Sequence, residues 1–474
     1  MREPCPLGIL GGSGMVESAR VERFDVFVIG GGATGSEVAF RLGRTGGLTV
    51  GLAERDKLGG ECNLYGCVPT KVMLRSAKVA AMARDADRFG VHVPAVDVDF
   101  LAIRDRARRI IEAQSGGGAK PFERLGIRVL MEEARLIGPH LIELADGTEV
   151  EADRIVLATG TESVPPPIEG IEDGPYWTNK EAIWKPESVP RSMAILGTGA
   201  IGIEFAQMYA RFGSRVTAIE VLPRILPNED EDAAAALVPT LEGEGIRLVP
   251  GTTCARAEYH GRRWRLHLSN GEELETAELL VATGRRARFE HHDLDAAGVR
   301  LDHDGKPVLT DTMRTTNDHV WAAGDATGEL LFTHVGTYEA ELVVDDILGR
   351  PRSRDYRVVP RVTFCDPEVA SVGLTERQAR QAGSEVRIAK VRMEESERAV
   401  IDGRTHGMVK LVADARTGEL LGGHVVSEEA GAMIHEVAVA MAARIPPRVA
   451  AETIHAYPTF PEALKAAFQK LAAE

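Results

Sequence analysis

The feature that most constrains the fold is a pattern written twice. Phe24 to Ile29 reads as a buried parallel strand running into Gly30-Gly31-Gly32-Ala33-Thr34-Gly35, then a helix from Ser36 to about Arg44. The next strand, Leu48 to Ala53, ends in Glu54, nineteen residues past Gly35. Ser192 to Leu196 starts the second copy, with Gly197-Thr198-Gly199-Ala200-Ile201-Gly202, a helix to Phe212 and a strand Arg215 to Ile219. That strand ends at Glu220, eighteen residues after Gly202. The fingerprints lie 167 residues apart, and two strands closing in Ala-Thr-Gly (Ala158 to Gly160, Ala282 to Gly284) lie 124 apart. Glycines at 30, 32 and 35, and at 197, 199 and 202, permit a tight turn, the approach of a pyrophosphate and close helix–strand packing. The acid ending the next strand can accept ribose hydroxyls. One such fingerprint is weak evidence. Strand, helix and acid in place twice predict two dinucleotide-binding domains of α/β, Rossmann-like type in one chain.

Just after the first copy comes Gly59-Gly60-Glu61-Cys62-Asn63-Leu64-Tyr65-Gly66-Cys67-Val68-Pro69-Thr70-Lys71. Pro69 suits the first turn of a helix from Thr70 to Ala83, which places both thiols at a helix N-terminus. There the dipole favours thiolate. A four-residue loop between cysteines closes and reopens a disulfide readily, so Cys62 and Cys67 read as a redox pair. No second paired-cysteine cluster exists to complete a zinc site.

The rest of the chain fits around these motifs. Its length allows two to four domains. A net charge of -15 argues against a nucleic acid or an anionic membrane surface as partner. Five scattered cysteines suit a reducing compartment, so a cytoplasmic protein is expected. The most apolar window, Met193 to Ala210, carries Glu204 and several glycines and is no membrane span. Met1 to Arg20 lacks a signal-peptide pattern and is expected to be poorly ordered and without chemistry. The arginines of Phe100 to Gln114 are expected to form a solvated helix face. Glu220 would bond an unphosphorylated ribose and repel a 2′-phosphate, which favours NADH over NADPH, although Arg215 and Arg224 lie near. Asn317 to Thr327 is a strand ending in Gly324-Asp325, where an aspartate can take a ribityl hydroxyl of a flavin. Gly60, Gly160 and Gly284 complete the expected nucleotide contacts. From about Arg352 the character becomes α+β and closes in Ile454-His455-Ala456-Tyr457-Pro458-Thr459-Phe460-Pro461-Glu462. Cys254 and Cys365 are taken as buried bystanders.

The ordered set resembles the flavoprotein disulfide reductases, the family of glutathione reductase, dihydrolipoamide dehydrogenase and mercuric reductase. It comprises the first fingerprint, C-x-x-x-x-C-x-P-x-K, the second fingerprint, Gly324-Asp325 and a terminal P-T-x-x-E. The resemblance runs from about Glu22 to Lys470. It implies FAD in the first site, NADH or NADPH in the second, and a homodimer built by the C-terminal domain, one tail completing the partner's dithiol site. It also implies that Cys67 faces the flavin, that Cys62 is the exposed thiol meeting the acceptor, and that Lys71 and Glu204 form an ion pair beside the flavin N5. The expected division is an N-terminal extension at 1–20 and an FAD domain at 21–160 and 286–350. A nicotinamide domain at 161–285 and a dimerisation domain at 351–474 complete it.

The disulfide-reducing members carry His-Pro-Thr-x-x-Glu near the C-terminus, with the His as general acid/base and the Glu orienting it. Here Tyr457 stands at the His position, with Glu462 as the acid. A phenol with pKa near ~10 is a poor proton shuttle at neutral pH. Mercuric reductases carry Tyr there and a second Tyr in a Pro-Tyr-Trp segment, which Gly174-Pro175-Tyr176-Trp177-Thr178 resembles. The acceptor this implies is Hg(II) or a similar soft electrophile, held transiently by Cys62 and Cys67. The sequence departs from those enzymes in closing Phe468-Gln469-Lys470-Leu471-Ala472-Ala473-Glu474 without their vicinal cysteines and in lacking their N-terminal Cys-x-x-Cys domain, departures that count against efficient Hg(II) turnover. The alternatives are a dihydrolipoamide dehydrogenase, another disulfide or quinone reductase, or an inert flavin-binding redox sensor.

Overall fold

The computed structural model describes residues 21–473 apart from 116 and 288. The expectation for Met1 to Arg20 lies outside the described residues. Both fingerprints sit where a parallel strand turns into a helix. In the first sheet five parallel strands run in the order Arg128–Leu130, Val50–Ala53, Glu22–Ile29, Glu149–Leu157 and Val320–Ala322. Ala134–Leu136 and Leu141–Leu144 add an antiparallel extension to the first half of Glu149–Leu157. Along Glu22–Ile29, Val26 and Val28 enter one apolar cluster while Phe27 and Ile29 enter the cluster on the opposite face. Both faces are covered, which is why this strand is a continuous apolar run rather than an alternating one.

The second parallel sheet has the order Arg247–Val249, Arg215–Ile219, Ser192–Leu196, Glu278–Val281. A three-stranded antiparallel sheet, Cys254–His260, Arg263–Leu268 and Glu273–Thr276, accompanies it. The chain crosses between the two nucleotide units as a two-stranded ribbon, Glu162–Ser163 against Arg285–Arg286. The C-terminal part is a five-stranded antiparallel sheet covered by the helices Ala430–Ala442 and Glu462–Ala473. The fold is thus mixed α/β with an α+β C-terminal unit, as read from the sequence.

One apolar cluster joins all three parts. It takes Met73, Leu74 and Ala77 from the helix after the cysteines, Ile203, Phe205 and Tyr209 from the second fingerprint helix, and Val369, Met408 and Val426 from the C-terminal sheet. The cysteine helix is therefore packed at a three-way junction.

Two local expectations change. The helix runs Cys67–Arg84, three residues longer at its start than the proline suggested. Pro69 occupies the third helical position, where its missing N–H would have had no partner. Of the arginines of the helix Phe100–Ser115, Arg108 and Arg109 are exposed as expected, but Arg104 and Arg106 also bond other elements. Arg104 donates to the carbonyls of Trp184 and Pro186, at 3.2 and 2.8 Å, and Arg106 donates to the Val72 carbonyl at 3.2 Å. Arg104 thereby satisfies carbonyls at and just beyond the end of the helix Asn179–Trp184, and Arg106 adds a bond to a carbonyl inside the cysteine helix.

Candidate redox site and nucleotide cradles

The two fingerprints build the same small machine. A Cβ on Gly30 would sit 2.3 Å from the Ala158 carbonyl oxygen, and one on Gly197 2.5 Å from the Ala282 oxygen, so only glycine allows strand and Ala-Thr-Gly segment to close up. Gly35 and Gly202 press on the carbonyls of Gly30 and Gly197 in the same way. The acids match as well. Glu54 accepts from the N–H of Gly31 at 2.8 Å and of Asp56 at 2.9 Å; Glu220 accepts from Thr198 at 2.8 Å and Leu222 at 3.0 Å. Each carboxylate fixes the turn that would receive the pyrophosphate and stands at its strand end for the ribose. Arg224 is turned away, donating to the carbonyls of Leu226, Pro227 and Glu229. Arg215 opens the strand that Glu220 follows, so the length of that strand separates it from the acid.

The residues of the first cradle fit a flavin dinucleotide. Nothing lies within 4 Å of a Cβ placed on Gly160, and Gly32 faces only Gly60 Cα at that distance, which leaves a channel along the turn. The hydroxyls of Thr159 and Ser115 are buried without a hydrogen-bond partner, a costly arrangement that a polar ligand relieves. Asp325 follows the strand Val320–Ala322 with Thr161 Oγ1 at 3.3 Å, and burial raises its pKa. A ribityl hydroxyl would supply a second donor beside Thr161. Gly324 takes a positive φ of 71° where a Cβ would collide with Thr34, so the first cradle and this loop touch. In the second cradle nothing lies within 4 Å of a Cβ placed on Gly199 or Gly284.

The cysteines sit on two short helical turns. Cys62 lies within Gly60–Leu64 and Cys67 opens Cys67–Arg84, with Tyr65-Gly66 between. Both are free thiols. Thr333, first residue of the helix Thr333–Ile347, donates to Cys62 Sγ at 3.1 Å and lies 3.7 Å from Cys67 Sγ. Cys67 is exposed and Cys62 half-buried, with Thr333 and its helix standing against Cys62. The two thiols differ sharply in acidity. A hydrogen bond from Cys62 lowers Cys67 to about 6, with Lys71 and Thr333 adding to the effect against desolvation. The same bond, together with burial, pushes Cys62 far upward. The dithiol therefore carries one thiolate, on Cys67. Iodoacetamide trapping of the dithiol protein should show alkylation at Cys67 rising through pH of about 6 and levelling above it. A rise only towards pH 9, as for an ordinary thiol, would contradict this assignment.

One turn after Cys67, Lys71 Nζ bonds both oxygens of Glu204, at 3.0 and 2.8 Å. The Glu204 side chain is 4% exposed and the Lys71 side chain 34%. Glu61, beside Cys62, accepts from Asn179 at 2.7 Å and Arg285 at 3.2 Å, and pairs with Lys180 at 3.3 Å. The crossing ribbon is thereby fastened to the dithiol loop. Thr333, Arg285 and Asn179 carry no sequence signal for these roles, since their partners lie more than 100 residues away.

The remaining candidates occupy the periphery. Tyr457 is 69% exposed, follows the strand-poor segment after Glu452 and bonds its hydroxyl to Glu397, which raises its pKa. Glu462 accepts from the Thr459 N–H at 3.0 Å. His455 is held by Glu436 at 3.0 Å and by the Thr453 carbonyl at 3.0 Å, so it is not free to replace a missing imidazole. Tyr176 packs, half-buried, against the apolar cluster around Trp264 and Cys254. Cys254 and Cys365 are both buried.

A dithiol beside a Lys–Glu pair with a buried carboxylate, between two nucleotide cradles, defines an oxidoreductase that links a nicotinamide to a dithiol through a flavin. The chain belongs to the pyridine nucleotide-disulphide oxidoreductases: that family's model matches residues 24–340, and the model of its dimerisation domain matches residues 359–468. It is an FAD-dependent NAD(P)H oxidoreductase with a dimerisation domain. The chain is 32% identical to a mercuric reductase of Lysinibacillus sphaericus, over 94% of this chain and 82% of that one. It is 36% identical to a dihydrolipoyl dehydrogenase of Chlorobaculum tepidum, over 95% and 97%. Among solved structures it is similar to a Cu(II) complex of the HOCl-induced flavoprotein disulfide reductase RclA from Escherichia coli, with TM-score 0.85 and 29% identity over 94% and 99% of the chains. It is also similar to LpdA from Mycobacterium tuberculosis, with TM-score 0.85 and 25% identity over 95% and 100%. Among the described residues no helix is long and apolar enough to cross a membrane.

Proposed function

We propose that the protein is an NADH-driven reductase of a soft metal ion, Hg(II) or a close analogue, acting through the Cys62–Cys67 pair. The observation that carries this reading is the terminal segment: an exposed Tyr457 with Glu462 engaged at Thr459, and His455 already bonded on both nitrogens. A disulfide substrate needs a proton relay at that point, whereas a metal ion needs thiolates. A relative named mercuric reductase and a structural neighbour solved with Cu(II) support the metal reading.

In this reading FAD, when bound, supplies two-electron transfer between nicotinamide and dithiol. Lys71 holds positive charge where the reduced ring would gain electrons, and Glu204 fixes that lysine. The Cys67 thiolate would face the ring, and Cys62 would meet the acceptor. The balance is NADH plus Hg(II) giving NAD+, Hg(0) and one proton. Glu220 sits where a 2′-phosphate would bring like charge, and Arg224 is committed elsewhere, so NADH is the donor. The reading divides the chain into FAD (21–160, 286–350), nicotinamide (161–285) and dimerisation (351–474) parts. It places the protein in the cytoplasm as a homodimer with no nucleic-acid partner.

The test is anaerobic NADH and NADPH oxidation with Hg(II), and separately Cu(II), supplied in excess thiol. Metal-dependent oxidation that Tyr457→Phe slows about tenfold or more supports the reading. Oxidation by lipoamide, unaffected by Tyr457→Phe, would replace it with the dihydrolipoyl dehydrogenase activity that the second group of relatives carries by name.

A further inference from the structure

The helix Ala200–Phe212 carries more than Glu204 on its inner face. Glu204, Gln207 and Arg211 stand at i, i+3 and i+7, so their side chains share one stripe. All three grip the short segment Phe364–Asp366, which joins the first two strands of the C-terminal sheet, Arg361–Thr363 and Glu368–Gly373. The Phe364 N–H donates to Glu204 Oε1 at 2.9 Å. Gln207 makes a two-point bond with the Asp366 backbone: Oε1 accepts the Asp366 N–H and Nε2 donates to the Asp366 carbonyl, each at 2.7 Å. Nε2 also lies 3.1 Å from Glu244, and Arg211 pairs with the Asp366 carboxylate at 2.9 Å. Gln207 is 1% exposed. The Phe364 ring lies 4.6 Å from Lys71 Nζ, within cation–π range.

We propose that Gln207 and Phe364 are positioning residues for the Lys71–Glu204 pair, Gln207 by pinning the segment and Phe364 by touching both partners. The two-point bond imitates strand pairing and fixes the direction of a backbone two residues away. Held there, Phe364 gives its N–H to the carboxylate and its ring face to the ammonium. A buried carboxylate that loses one donor must recover it elsewhere, and Glu204 has no water to turn to at 3% exposure. The C-terminal unit thus takes part in electron entry through its own chain, apart from any role in pairing subunits. The inference rests on reading Lys71 and Glu204 as the pair beside the flavin.

The experiment uses the FAD-loaded enzyme with Gln207→Met, which keeps volume and removes both bonds, and Phe364→Leu, which keeps the N–H and removes the ring. Hydrogen exchange of the segment 362–367 and anaerobic flavin reduction by NADH are both read. Gln207→Met should speed exchange of the segment and slow flavin reduction about tenfold, the size of one lost hydrogen bond to a charged group. Phe364→Leu should slow reduction less and leave exchange unchanged. Adding Gln207→Met to Glu204→Gln should bring no further slowing, since its route is already cut. Equal slowing in both backgrounds, or faster exchange with unchanged reduction, would overturn the proposal. If Gln207→Met fails to bind FAD, an unchanged reduction rate in Phe364→Leu overturns the ring's part. Wild-type reduction in Glu204→Gln alone would instead sink the ion-pair reading beneath it.

Discussion

Replacing Cys62 by serine is expected to lower acceptor-dependent NADH oxidation by about three orders of magnitude or more, while NADH still reduces the flavin. The size follows from removing the nucleophile or metal-binding sulfur altogether, a loss that other groups in a site do not replace. The split between the two half-reactions follows from geometry. In the proposed reading Lys71 and Glu204 serve electron entry and bond each other, whereas Cys62 is bonded to Thr333 at 3.1 Å and to Cys67. A serine hydroxyl can still donate to Cys67, so its thiolate keeps a stabilising donor alongside Lys71. The variant should keep a long-wavelength absorbance between that thiolate and oxidised flavin. Anaerobic titration with NADH, followed by steady-state assay with the acceptor, reads both parts. Undiminished turnover would remove the dithiol from the mechanism.

The second large effect is at Glu204. Changing it to glutamine should slow flavin reduction by NADH about 100-fold, the usual scale when one preorganised charge is removed from a reacting centre. The physical loss is specific. The carboxylate binds Lys71 through both oxygens and takes the Phe364 N–H, and it is almost wholly buried. The amide keeps the shape but offers one acceptor and a donor that points at an ammonium. Because Lys71 is about a third exposed, water screens part of the damage, so the fold should survive. Rapid-mixing absorbance at the flavin band gives the rate. A wild-type rate in a correctly loaded variant would mean that the pair is structural.

The division between legible and hidden parts runs along sequence separation. The glycine turns, the acids Glu54 and Glu220 and the close cysteine pair follow from short spacings, because strand, turn and helix are local events. The same locality marked Gly324-Asp325 at a strand end. The helix start at Cys67 was misplaced because Pro69 tolerates any of the first helical positions. The arginines of Phe100–Ser115 looked solvated because nothing nearby in sequence announces the carbonyls they reach, 34 to 82 residues away.

By itself the sequence determined a duplicated nucleotide-binding chain with a redox cysteine loop and a tyrosine where an imidazole could have stood. Each of these is written in residues that are neighbours along the backbone. Only the tertiary structure decided what steadies Glu204, how Thr333 reaches the dithiol and how the crossing ribbon holds Glu61. Those outcomes need side chains more than 100 residues apart to meet in a low-dielectric junction, where a single donor or charge shifts an equilibrium by orders of magnitude.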